Sequence, residues 1–199
     1  MILSYGEHSP SIDRDAWVAQ DATVCGHVTI GAGSRIMHGA RLVAEAGGSI
    51  HVGRNCIVLE NAVIRATGRH DCRFGDHCVV GPNTHVVGAK IDEEVFIATG
   101  AAVFHGAYIG AGSEIRINGT VHLLTYLGPG STVPIGWIAV GNPAEILPPD
   151  QHEKIWAIQK ALDFPGFVYG VDRNSSAVTK RITTHLSDVL SVHRAEKGR

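Results

Sequence analysis

The side chains best equipped for chemistry in this sequence are its histidines, 12 among 199 residues. Imidazole exchanges protons near neutral pH and ligates metals through either ring nitrogen. His70, Cys72 and His77 form an H-x-C-x4-H run. Short His/Cys clusters bind metals, but this spacing is not a zinc signature, and His77 reads as a solvated corner residue. Whether those three hold a metal stays open. His105 stands close in sequence to the hydroxyl of Tyr108, a pairing suited to general-base work. His85 falls where the chain points outward, and its plain reading is a surface histidine.

Such groups need a scaffold, and the sequence supplies one by repetition. Aliphatic residues recur every six positions: Val18, Val24, Ile30, Ile36 and Leu42; then Val52, Val58 and Ile64; then, after a reset, Phe74, Val80 and Val86; and finally an unbroken set from Ile91 to Val133. Counting each as position one, position five is small or β-branched, as in Ala22, Ser34, Ala40, Cys56, Ala62, Cys78, Thr84, Ala101 and Ser113. A period of six fits neither helix nor simple strand alternation. It fits an all-β solenoid, a prism whose three flat sides take one hexad each, with coils stacked at roughly 4.8 Å. Position one fills the axis and position five a narrow corner, where Cys56 and Cys78 are packing choices rather than reactive thiols. Gly at position two (Gly31, Gly53, Gly75, Gly81, Gly110, Gly128) is read as relief for the turn.

The repeat is interrupted by Ala44-Glu-Ala-Gly-Gly-Ser49 and by Ala66-Thr-Gly-Arg-His-Asp-Cys-Arg73, which must project as loops. Between Val86 and Ile91 the hexad is one residue short. The repeat closes at Gly141-Asn-Pro-Ala144, dividing the chain into a β-helix domain over 1–147 and a helical appendage over 148–199 packed on it. In the appendage Asp150 is the expected N-cap of a helix with Ile155, Ile158 and Leu162 on one face. A Phe164-Pro-Gly break follows. A second helix carries the stripe Val178, Ile182, Leu186, Val189 and Leu190, with Ser175 and Ser176 as candidate caps, and both stripes are read as core.

Seventeen basic and nineteen acidic residues are spread without runs, which argues against nucleic acid and membrane as partners. No apolar leader or long apolar span is evident, so a cytoplasmic protein is expected. Four cysteines without a CxxC pair point to reduced thiols.

From about residue 10 to 147 the chain resembles the γ-class carbonic anhydrase family of hexapeptide-repeat proteins. The repeat, the shortened hexad and the closing Gly141-Asn142-Pro143-Ala144 carry the likeness. The resemblance implies a left-handed parallel β-helix and a homotrimer with sites in the clefts between subunits, each holding zinc on three histidines from two subunits. Laid on this sequence, those ligands fall on Arg65, Pro82 and Val87, with Glu60-Asn61 just upstream. Arginine offers only donors and a fixed positive charge, while proline and valine side chains offer nothing to a metal. Zinc is therefore not expected, and neither is ordinary CO₂ hydration. Arg65, Val87, Phe104 and His122 share one vertical column, so His105 stands about one coil below the vacated position and His122 two coils below, roughly 10 Å away.

Three functions compete at this point. In the first, the intersubunit cleft binds or transforms a small anionic molecule. Arg65 replaces the metal's charge, His105 serves as base, and Tyr108, Asn83, Glu60, His85 and His122 are polar neighbours. In the second, the protein transfers an acyl group from coenzyme A, as hexapeptide acyltransferases do, with His70 as base. In the third it is a trimeric scaffold without catalysis.

Overall fold

The computed structural model describes residues 1–45 and 47–191. The chain divides into two compact units, Met1–Ile155 and Trp156–Arg199. The first is a left-handed parallel β-helix. Its short strands stack coil on coil into three sheets, nine-stranded, seven-stranded and seven-stranded among the described residues. The first sheet includes Arg41–Ala44, Val63–Ala66, His85–Val87 and Ala102–Val103. The second includes Cys72–Phe74, Lys90–Ile91 and Tyr108–Ile109, and the third Ile57–Val58, Val79–Val80 and Phe96–Ile97. Pairing is parallel and in register, with Ile64 beside both Leu42 and Val86. The ladder ends where Glu145–Leu147 pairs antiparallel with Ile138–Val140.

The two coupled periodicities explain this shape. Ile36, Leu42, Ile64, Ile97, Ile109 and Ile115 stack fully buried along the axis, each worth about 1.5–3 kcal/mol of apolar burial. Position five is buried as well, in Ala22, Ser34, Ala40, Cys56, Ala62, Cys78 and Ala101. Polar members there bond to the neighbouring coil. The Ser34 hydroxyl donates to the Gly53 carbonyl at 2.8 Å and accepts from the Cys56 N–H at 2.9 Å. The Cys56 and Cys78 thiols each donate to a carbonyl of the next coil at 3.1 Å.

Glycine at position two has a different cause from the one expected. Gly31, Gly53, Gly75, Gly81 and Gly110 do not take left-handed backbone; the positive φ falls at position four, as at Asn55, Asn61, Asn83, Gly100 and Gly112. Position two is instead the point of closest approach between coils. A Cβ on Gly53 would meet the Gly75 carbonyl oxygen at 2.5 Å, and one on Gly110 the Pro129 nitrogen at 2.5 Å.

Among the described residues three helices follow the prism in sequence: α1 (His152–Ala161), α2 (Phe164–Tyr169) and α3 (Val178–Val189). Gln151 rather than Asp150 accepts the first helical bond of α1, from the Ile155 N–H. The expected Phe164-Pro-Gly break is itself α2. Its Pro165 sits in the first turn, where a missing N–H costs nothing, and the break falls at Asp163, which has φ of 42°. Neither Ser175 nor Ser176 caps α3; Ala177 stands at its N-cap and makes no side-chain bond. No residue of α3 is buried, so its apolar stripe is not core among the described residues. In the second unit Arg173 lies over the Trp156 ring at 5.4 Å and pairs with Asp163 at 3.4 Å.

Candidate functional site

All the interruptions of the hexad rhythm in the middle of the prism fall at one corner, between the first and second sheets. Residues 67–71 form a longer turn there, residues 88–89 a shorter one, and Glu45 and residues 47–49 lie at the same corner one coil earlier. The 67–71 turn stacks on that earlier coil. The Glu45 N–H donates to the Ala66 carbonyl at 3.0 Å, and the Ser49 N–H to the Asp71 carboxylate at 2.8 Å. Thr67 and His70 exchange two backbone bonds, closing a tight turn that fixes the direction of His70.

The shortened hexad makes room for that histidine. Gly88, with φ of 55°, donates its N–H to the Arg65 carbonyl at 2.9 Å and accepts from the Gly106 N–H at 2.7 Å. A Cβ on Gly88 would lie 2.5 Å from the His70 Cβ and 3.5 Å from the His105 ring. His70 therefore packs over a bare backbone and meets His105 edge to face, the ring centroids 5.5 Å apart.

Arg65 and His85 complete the group. Arg65 pairs with Val87 in the ladder, and His85 lies two residues before Val87 on that strand. His105 is 8% exposed and its Nδ1 is buried without a hydrogen-bond partner. Burial, reinforced by the positive charges of His70, Arg65 and His85, drives its pKa down to about 4. Burial likewise lowers the pKa of His85, with Arg65 adding to it, and that of His70, with Arg69 adding to it. The result is a set of neutral imidazoles around a permanent cation, an arrangement in which added positive charge is penalised. The guanidinium of Arg65 donates to the carboxylate of Glu45, from the turn one coil earlier.

The other sequence candidates lie elsewhere. Tyr108 is on the second sheet, where its hydroxyl donates to Asp92 and its ring stacks on Tyr126 at 4.9 Å. Lys90 lies over the same ring at 5.2 Å. His122 packs against Phe104 at 6.0 Å. Burial lowers the pKa of His122, and no charge of the Arg65 group contributes. Glu60, Pro82 and Asn83 occupy the corner between the third and first sheets, where the Asn83 N–H donates to the Glu60 carbonyl at 3.0 Å. A strand of the first sheet separates that corner from Val87, about 10 Å along the chain. Cys72 faces the axis with its pKa pushed up to about 12 by burial, and His77 is an exposed corner residue with positive φ. Among the described residues no three His, Cys, Asp or Glu side chains are grouped to hold a metal ion.

No protein-family model matches the chain. Among sequences, γ carbonic anhydrase 1 of Arabidopsis thaliana mitochondria is 27% identical over 158 residues, covering 73% of this chain and 53% of the relative. An uncharacterised protein of Dictyostelium discoideum is 28% identical over 151 residues, covering 73% of this chain and 58% of its own length. The chain is thus similar in sequence to γ carbonic anhydrases. It spans somewhat more than half the length of those curated relatives. Among solved structures, a hexapeptide transferase family protein of Anaplasma phagocytophilum matches with a TM-score of 0.53 at 22% identity, over 94% of this chain and 96% of that one. That likeness is one of fold. Within the γ-carbonic-anhydrase-like frame, the shortened hexad is the turn that brings Gly88 beneath His70. Sequence reasoning treated His70 and His105 as rival bases in separate hypotheses, and the structure brings them together. The signal that could have joined them was the glycine in the shortened hexad.

Proposed function

We propose that this γ-carbonic-anhydrase-like protein binds a small anionic molecule at the Arg65, His70, His85 and His105 corner, and that the site is completed between copies of a homotrimer. The observation that carries this reading is the meeting of buried His105 with His70, edge to face at 5.5 Å, where burial and then His70, Arg65 and His85 lower its pKa. An anion seated there accepts hydrogen bonds from Arg65. His105, neutral at pH 7, can then donate or accept one proton, which is the chemistry a ligand undergoing proton transfer would need.

The donor set does not fit the zinc of the family. Arg65 and Val87 are ladder partners and supply no lone pair between them, and Pro82 adds none. The homotrimer is favoured by the placement of Pro82. It stands on the far edge of the first sheet, beside an apolar groove lined by Leu59, Val79, Phe96, Ile117 and Ile135. Phe96 and Ile135 are 47% and 64% exposed there, an arrangement suited to cover by a second copy.

The test is thermal melting of the full chain with acetate, formate, bicarbonate, phosphate and coenzyme A, beside its Arg65→Ala and His105→Ala variants. A ligand of the folded state raises Tm by mass action. The expected result is stabilisation by one or more small anions that Arg65→Ala abolishes. Stabilisation by coenzyme A with none by small anions would overturn the proposal in favour of acyl transfer. Stoichiometric zinc in the purified protein would overturn the exclusion of metal.

A further inference from the structure

Glu45 is the residue of this corner that neither the hexad repeat nor proton chemistry calls for. Its carboxylate is 15% exposed, the most covered acid in any ion pair among the described residues, while the Arg65 guanidinium it meets is 41% exposed. The exposed pairs Arg54–Asp76 and Arg116–Glu114 are of another kind, with acids 35% and 51% exposed. Nor is the contact needed to hold the turn. The backbone bond from Glu45 to Ala66 does that without the side chain. A half-buried ion pair is a weak source of stability, because desolvation offsets most of the attraction. What the pair does achieve is to set a carboxylate on one donor of Arg65, a fork with five N–H groups, at the edge of the His70 and His105 cluster.

We propose that Glu45 is an internal occupant of the anion seat, and that the ligand is a planar carboxylate-type anion which reaches Arg65 by displacing the Glu45 side chain. This rests on the reading of Arg65 as the anion-binding residue. Displacement costs little, because the incoming group makes the same kind of bond to the same guanidinium. The incoming anion gains whatever it adds toward His105, whose Nδ1 has no partner. Glu45 thus keeps Arg65 ordered between ligands and sets the concentration a ligand must reach.

The experiment is calorimetric titration of acetate into the full-length wild type, Glu45→Gln, Glu45→Ala, Arg65→Ala and the Glu45→Gln/Arg65→Ala double variant, with circular dichroism confirming the fold of each. Gln keeps the length of Glu and removes its charge, and Ala removes any amide that could linger on Arg65. Both are expected to bind acetate about tenfold more tightly than wild type, a ratio corresponding to the loss of one competing charged contact. Arg65→Ala is expected to remove binding in both backgrounds. Equal or weaker binding by the two Glu45 variants, with wild-type binding still dependent on Arg65, overturns the role of Glu45 alone. Acetate binding that survives Arg65→Ala, or is absent from every variant, overturns the underlying site as well.

Discussion

Two corners of the same prism can be compared directly. The corner between the second and third sheets is regular: Gly31–Ser34, Gly53–Cys56, Gly75–Cys78, Asp92–Val95 and Gly110–Ser113 join strands with four residues each time. The corner between the first and second sheets spans residues 67–71 on one coil and only 88–89 on the next, so its length changes. Thiols and hydroxyls at the regular corner are used up on carbonyls of the next coil. The irregular corner holds Glu45, Arg65, His70 and His105. Uniform turn length leaves side chains only a packing role, while a change of length lets one coil reach over another.

The largest effect expected from this difference is an acid sensitivity centred on His105. His105 has a folded pKa near 4 against about 6.5 in an unfolded chain. Between those values the unfolded state binds more protons, so stability is complete above pH 6.5 and falls as pH drops toward 4. The loss from His105 is on the order of 3 kcal/mol, with His70, His85 and His122 acting in the same direction. Urea melts across pH 4–7 should show this slope in wild type and a shallower one in His105→Gln; equal slopes would locate the titration elsewhere.

A smaller contrast separates two glycines, both with positive φ. Gly88→Ala puts a methyl group 2.5 Å from the His70 Cβ, whereas Gly112→Ala meets nothing within 4 Å. The first should cost about 2–3 kcal/mol and the second about 1 kcal/mol, the left-handed backbone being common to both. Only the first should also weaken anion binding. Similar costs for the two would mean that His70 moves aside without penalty. Smallest of all is Arg54→Ala at the regular corner, where an exposed pair is worth under about 1 kcal/mol. Its Tm should shift by no more than a few degrees and its acetate affinity not at all.

The prism was readable in the sequence because a solenoid core is a periodic object. Ile64 is spaced six from Val58 and lies buried on the axis, and the same count placed Cys56 and Cys78 in their corners. Arg65 could be placed beside Val87 for the same reason, since register follows from phase. The Arg65–Glu45 contact was not readable, because it depends on the path of residues 45–49, to which no period applies. The approach of His70 to His105 was missed because it depends on a residue that is absent from a hexad. The helices fared worse: α3 has a clear stripe yet buries none of it, because periodicity reveals an apolar face without saying what covers it.

In most folds a single-residue deletion throws every later strand out of phase with its partners. Here Ile91 stacks on Phe74 and Ile109 as though nothing were missing, because each corner absorbs the error before the next strand begins. A chain built this way can gain or lose residues at a corner and keep its axis intact, which makes the corner a place where new sites can be tried one coil at a time.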